Sequence, residues 1–237
     1  MKDATPQTIY LANYQVSPFL IDKTDLVFDL RDENCVVTCK LALRRNPDST
    51  ETSEPLVLNG GVGVDLQWLE VDGQRLDQGA YDRSEDALTI AEVPNQCVVT
   101  TEVHIKPHIN TTMMGLYRSR TMYCTQCEAE GFRDITFYLD RPDVMSEFTT
   151  QVIAEKQPFP VLLSNGNPIE RGSLDNGRHF VTWHDPFKKP AYLFALVAGD
   201  LSTVEDSFTT QSGREVSLQI FVEEKDLDKC DHAMLSL

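Results

Sequence analysis

No stretch of this 237-residue sequence approaches the ~20 consecutive apolar residues that a membrane-spanning helix needs, which excludes a helical membrane protein. Basic residues are scarce: 21 Lys+Arg face 37 Asp+Glu, a formal net charge of -16. Such a balance repels polyanions, so nucleic acid is excluded as a partner and an anionic membrane surface is disfavoured. It would attract cationic ligands instead, among them peptides with free amino groups. Cysteine is sparse as well, and 6 residues spread over this length do not make a disulfide scaffold. The opening residues, Met1-Lys2-Asp3-Ala4-Thr5-Pro6-Gln7, lack the apolar segment of a secretory signal. A cytoplasmic protein with reduced thiols is therefore expected, in which the sequon Asn110-Thr111-Thr112 is accidental.

Several chemistries lack their motif. There is no helical His-Glu-x-x-His, no Gly-x-x-x-x-Gly-Lys loop, no Gly-x-Gly-x-x-Gly turn and no Gly-x-Ser-x-Gly elbow. The histidines are His104, His108, His179, His184 and His232, and Pro107 argues against a helix that would present His104 and His108 together. Cys124-Thr125-Gln126-Cys127 is a lone Cys-x-x-Cys pair. Zinc would need two more ligands, and a redox site would open a helix in a βαβ unit. Two small, partly buried thiols are the expectation, with a thiol switch as the alternative. The chain itself is expected to supply no catalytic residue and no metal ligand.

What is present is period-two alternation. Cys35, Val37, Cys39, Leu41 and Leu43 share one face, opposite Thr38 and Lys40. Leu26, Phe28 and Leu30 oppose Asp25 and Asp29, and Cys97, Val99, Thr101 and Val103 oppose Thr100, Glu102 and His104. Val216, Leu218, Ile220 and Val222 oppose Ser217 and Gln219. This pattern predicts half-buried strands of antiparallel sheets. Turn signals separate them at Asn59-Gly60-Gly61, Asp72-Gly73, Asn165-Gly166, Asn176-Gly177 and Ser212-Gly213. Helix signals are few. Asp140-Arg141-Pro142-Asp143 before Val144-Met145-Ser146-Glu147-Phe148 reads as one helical turn with Asp140 as N-cap. A second helix is expected from Lys225 to Leu237, with no closing residue, so the chain reads as the N-terminal piece of a longer protein. The apolar run Ala191 to Ala198 closes at Gly199-Asp200, and a domain boundary is expected near residue 200.

The most unusual stretch is Gln126-Cys127-Glu128-Ala129-Glu130, two carboxylates and an amide in five positions, followed by Gly131-Phe132-Arg133. Alternation would put Gln126, Glu128 and Glu130 on one side of an extended segment, which on spacing alone is a solvated loop face. With Asp134-Ile135-Thr136-Phe137-Tyr138-Leu139-Asp140-Arg141-Pro142-Asp143, the stretch from Cys124 resembles a signature of the bacterial aminopeptidase N family of zinc metallopeptidases. The same family is echoed in Leu163-Ser164-Asn165-Gly166-Asn167 and Trp183-His184-Asp185-Pro186-Phe187. Further matches are Tyr192-Leu193-Phe194-Ala195-Leu196-Val197-Ala198-Gly199-Asp200 after Pro190, and Phe208-Thr209-Thr210 with Ser212-Gly213-Arg214. The likeness spans nearly the whole chain and is weakest at residues 45–95.

The resemblance implies a mainly β fold: a saddle-like N-terminal domain of antiparallel sheets at residues 1–200, then the start of a thermolysin-like catalytic domain at residues 201–237. It implies that Gln126 and Glu128 bind the free α-amine of peptide substrates. It also implies one zinc ion in the full-length parent, held by a downstream His-Glu-x-x-His beside a Gly-x-Met-Glu-Asn motif. Neither motif occurs here, so the piece alone is expected to be inactive and to partner the catalytic domain of the same chain. The competing class is a non-catalytic β-sandwich binding module, for which only Trp68 and Trp183 could supply exposed aromatic pairs.

Overall fold

In a computed structural model that describes residue 8 and residues 10–50 and 53–237, alternation becomes strand from Phe19 onward. The polar stretch at residues 1–7 lies outside the described residues. Strands β1 (Phe19–Leu30) and β2 (Cys35–Arg45) form the first hairpin, followed by the short β3 (Leu56–Asn59), β4 (Asp65–Val71), β5 (Gln74–Arg75), β6 (Asp82–Arg83) and β7 (Ala87–Ile90). The long β8 (Gln96–Ile105) precedes a second hairpin of β9 (Gly115–Ser119) and β10 (Met122–Gln126). Then come β11 (Met145–Glu155), β12 (Val161–Ser164), β13 (Asn167–Ser173), β14 (Arg178–Pro190) and β15 (Leu196–Gly199). A last hairpin, β16 (Ser202–Thr209) and β17 (Glu215–Val222), leads into a 3-10 segment, Glu224–Lys229, and a short helix α1 (Cys230–Met234).

The main layer is an eight-stranded sheet in the order β13-β14-β11-β1-β2-β8-β4-β5. Its buried face carries Phe28 of β1, Val37, Cys39 and Leu41 of β2, Val99 and Val103 of β8, and Phe148 and Val152 of β11. A four-stranded sheet, β12-β15-β10-β9, covers part of that face. The ring of Phe28 stacks on Phe194, just ahead of β15, with centroids 5.7 Å apart. Burying one such side chain contributes ~1.5–3 kcal/mol, and the contiguous cluster they form is the main source of stability. Within β1 the buried positions change phase, from Phe19 and Ile21 to Thr24, Leu26, Phe28 and Leu30. The register against β2 slips between Ile21 and Lys23, so a one-residue irregularity keeps both halves facing the core.

The mainly β reading holds, with three corrections. The sheet is not wholly antiparallel: β1 runs parallel to β11, pairing Lys23 with Glu147 and Asp29 with Ile153. The turn expected to be helical at Val144 to Phe148 is instead the start of strand β11. Asp140 does not cap it, because its carboxylate is held by Arg133, and Ser146 and Phe148 are drawn inward at alternate positions. The helix expected from Lys225 to Leu237 is instead a 3-10 segment up to Lys229 followed by α1, which is limited to five residues. Asp72-Gly73, Asn176-Gly177 and Ser212-Gly213 close hairpins, whereas Asn165-Gly166 passes the chain from one sheet to another.

Candidate functional site

The polar cluster sits where the β9–β10 hairpin ends. β10 is held on both sides, by β9 from Met122 to Gln126 and by β15 at Tyr123 and Cys124. Tyr123 is buried and packs on Phe159 with ring centroids 5.2 Å apart. The approach to β9 is fixed by Asn110, whose amide donates to the carbonyls of Met114 at 2.7 Å and Leu116 at 3.0 Å. That turn occupies the asparagine of the sequon.

Extended backbone stops at Gln126, which corrects the expectation that Gln126, Glu128 and Glu130 line one side of a strand. Beyond it the chain turns tightly, and the Gly131 N–H donates to the Cys127 carbonyl at 2.8 Å. The peptide bond between Glu128 and Ala129 is cis. Phe132 then plunges into the core, with ring centroids 4.8 Å from Tyr138, 5.2 Å from Phe194 and 6.1 Å from Phe148. Below it the hydroxyls of Thr24, Tyr138 and Ser146 form a closed buried ring with separations of 2.7–3.1 Å. The tip is exposed while its base is part of the core.

Three polar side chains at the tip have different fates. The Gln126 amide Nε2 donates to the Glu128 carbonyl at 3.2 Å, which leaves its Oε1 as an acceptor. Glu130 lies 3.2 Å from the guanidinium of Arg133. Glu128 is exposed, and among the described residues its carboxylate has neither a hydrogen bond nor an ion pair. Among the described residues the tip therefore presents one unpaired carboxylate and one amide oxygen without a donor.

Arg133 and Asp140 lie within the resembling stretch, but no motif announces that they pair. The Asp140 side chain is 2% exposed, and its Oδ2 accepts from the Arg133 backbone N–H and from Nε, both at 3.1 Å. Burial pushes the Asp140 carboxyl above the usual range, and the Arg133 guanidinium opposes the shift. Asp134 is also raised by burial, packed against Gly61 and Gly115. A sequence signal existed: an acid closing the apolar run from Ile135 to Leu139 must find a cation, and Arg133 is near in sequence.

The other candidates do not assemble a reactive centre. Cys127 is 2% exposed, and burial drives its thiol far above the ordinary value, so it is no thiolate at neutral pH. Burial likewise pushes Cys39 up to about 12 and Cys97 up to about 11. His104 lies on β8, His108 in the 3-10 turn Pro107–Ile109, and His179 contacts the Phe159 carbonyl at 2.8 Å. Among the described residues no three His, Cys, Asp or Glu side chains converge on a metal position, so these residues do not fit a zinc site. Trp183 donates to the Leu162 carbonyl and Trp68 lies under Arg75, far apart on the large sheet. A cavity of about 650 Å³ opens beside the hairpin, with Met114, Leu116, His104 and Asp134 in its wall. Gln126 and Glu128 stand outside it.

Residues 64–193 match the model of the peptidase M1 N-terminal domain. Aminopeptidase N of Caulobacter vibrioides is 50% identical over 237 residues, covering 100% of this chain and 27% of that protein. Aminopeptidase N of Escherichia coli is 47% identical over 232 residues, covering 98% of this chain and 26% of that protein. The crystal structure of Legionella pneumophila aminopeptidase A in complex with aspartic acid superposes with a TM-score of 0.88 at 34% identity, covering 93% of this chain and 26% of that chain. The chain thus spans about a quarter of the length of the relatives it matches.

Proposed function

Because the chain belongs to the peptidase M1 family and carries its N-terminal domain, we propose that it is the amine-recognising part of a zinc-dependent aminopeptidase, which removes residues from the N-terminus of peptides. Residues 1–200 form the N-terminal β domain. Residues 201–237 begin the catalytic domain of the same chain, a reading supported by the β16–β17 sheet joining none of the other sheets. The side chains here do not fit zinc, so the metal and its ligands belong to that catalytic domain. The location is the cytoplasm, in keeping with free thiols at all six cysteines.

Gln126 and Glu128 hold the substrate's α-amine. That group has a pKa near ~8 and is mostly ammonium at neutral pH. It brings three donors to the site: the Glu128 carboxylate accepts one through a charge-assisted hydrogen bond, and the Gln126 Oε1 accepts another. Anchoring the amine fixes the scissile bond one residue away. A peptide whose nitrogen is acylated offers no charge to Glu128 and is rejected. The observation that carries this reading is the contrast at the tip, where Glu130 is paired and Glu128 is free.

Kinetics of the full-length enzyme on free-amine peptides test it. Removing one partner of a buried charge pair costs ~3–5 kcal/mol and a partly solvated pair less, so Glu128→Gln should lower kcat/KM by roughly 10²-fold. Zinc content should be unchanged, and Glu130→Gln should stay near wild type. A sensitive Glu130 and a tolerant Glu128 would overturn the assignment.

A further inference from the structure

The amine anchor sits on an exposed turn that carries two glutamates, and either carboxylate could attract an ammonium. Only one docking position puts the scissile bond where it can be cleaved, so the turn must offer one acid and withhold the other. Arg133 touches both the acid buried behind the turn and one of the two glutamates on it. Its backbone N–H and Nε donate to Oδ2 of the buried Asp140, both at 3.1 Å, and its Nη2 donates to the Asp140 carbonyl at 3.0 Å. The same Nη2 stands 3.2 Å from Oε1 of Glu130 on the exposed side. Asp140 is itself tied to the sheet, its N–H donating to Oδ1 of Asn59 at 3.2 Å.

We propose that Arg133 is the positioning residue of the amine site: it fixes the turn against Asp140 and draws Glu130 aside, so that Glu128 alone addresses the ammonium. This rests on the amine-anchoring reading above. The role needs the planar fork of a guanidinium, which serves the buried acid and the exposed one together; a lysine ammonium is a point charge on a flexible stem. Between the two acids, a lysine would stay with the buried Asp140, whose charge cannot be left uncompensated, and would release Glu130.

The test uses the full-length enzyme and two substrates, a peptide with a free α-amine and the same peptide with that amine replaced by hydrogen. Arg133→Lys is expected to lower kcat/KM on the free-amine peptide ~10-fold and to leave the slow desamino reaction within about twofold of wild type. Adding Glu130→Gln to Arg133→Lys should restore most of the loss, because the competing carboxylate is gone. Equal losses on both substrates, no recovery in the double variant, or wild-type kinetics for Arg133→Lys would each overturn the proposal. Glu128→Gln, measured in parallel, separates the two claims: if it leaves the preference for a free amine intact, the anchoring assignment fails and this inference falls with it. Arg133→Met is avoided as the main probe, since it strands Asp140 and would be read in melting temperature first.

Discussion

A β-carbon built on Gly131 would stand 2.5 Å from the carbonyl oxygen of Gln126, so the turn after the β9–β10 hairpin closes only around a glycine. The Met114 Cε at 2.9 Å and the Cys127 Cα at 3.1 Å close the remaining space. Gly131→Ala must push the turn away from the strand that carries Gln126. Overpacking of this kind costs ~1–3 kcal/mol, which in a chain of this size lowers the melting temperature by roughly 2–10 °C. Gly79→Ala, where a β-carbon meets nothing within 4 Å, should melt like the wild type. Thermal denaturation of the three proteins checks the pair, and equal melting temperatures would contradict the packing argument.

Gln126 contributes a neutral acceptor, and its loss should be milder than that of Glu128. Gln126→Ala in the full-length enzyme is expected to lower kcat/KM on free-amine peptides roughly tenfold, because neutral hydrogen bonds are about half as strong as charge-assisted ones. Steady-state kinetics that ranked Gln126 above Glu128 would show that the amide dominates recognition.

The isolated 237-residue chain should hold no stoichiometric zinc, since no ligand set of the required spacing is assembled among its described residues. Elemental analysis after mild dialysis is the measurement. One tightly held zinc per chain would refute the statement and reopen the role of Cys124 and Cys127.

The β16–β17 hairpin pairs Val204 with Ile220, Asp206 with Leu218 and Phe208 with Val216, which gathers the apolar residues on one face. Phe208 is 53% exposed, and Val204, Val216, Leu218 and Ile220 beside it are each partly exposed. The isolated chain is expected to bind an apolar dye there and to self-associate as its concentration rises. Phe208→Ser should weaken both signals. Sedimentation of a strict monomer with no dye response would show that the face is covered in some other way.

Strands with one wet face could be read directly, because burial imposes a period that side chains must obey. Cys35, Val37, Cys39, Leu41 and Leu43 all lie inside, as their alternation requires. The start of β11 could not be read the same way. Asp140 and Pro142 carry a genuine helix-start pattern, but a tertiary contact to Arg133 captures the carboxylate first. The parallel pairing of β1 with β11 was equally hidden, since alternation reports which face is buried and not which strand lies alongside. At the tip, the proposal that Gln126 and Glu128 hold the amine comes only from resemblance. Local spacing makes Glu128 and Glu130 equivalent, and what separates them is an ion pair to a residue whose own partner is Asp140.

The two neighbours of β1 are made at very different times. β2 follows after a short turn, whereas β11 begins at Met145. A ribosome adding about 5–20 residues per second leaves one edge of β1 bare for roughly ten seconds before β11 exists. During that interval β1 is the rim of a nascent sheet, open to pairing with other chains. Asp22, Lys23, Asp25 and Asp29 lie along it, charges of the kind that discourage stray strand addition. A strand that finishes in the middle of the sheet thus carries the protection of one that begins at its margin.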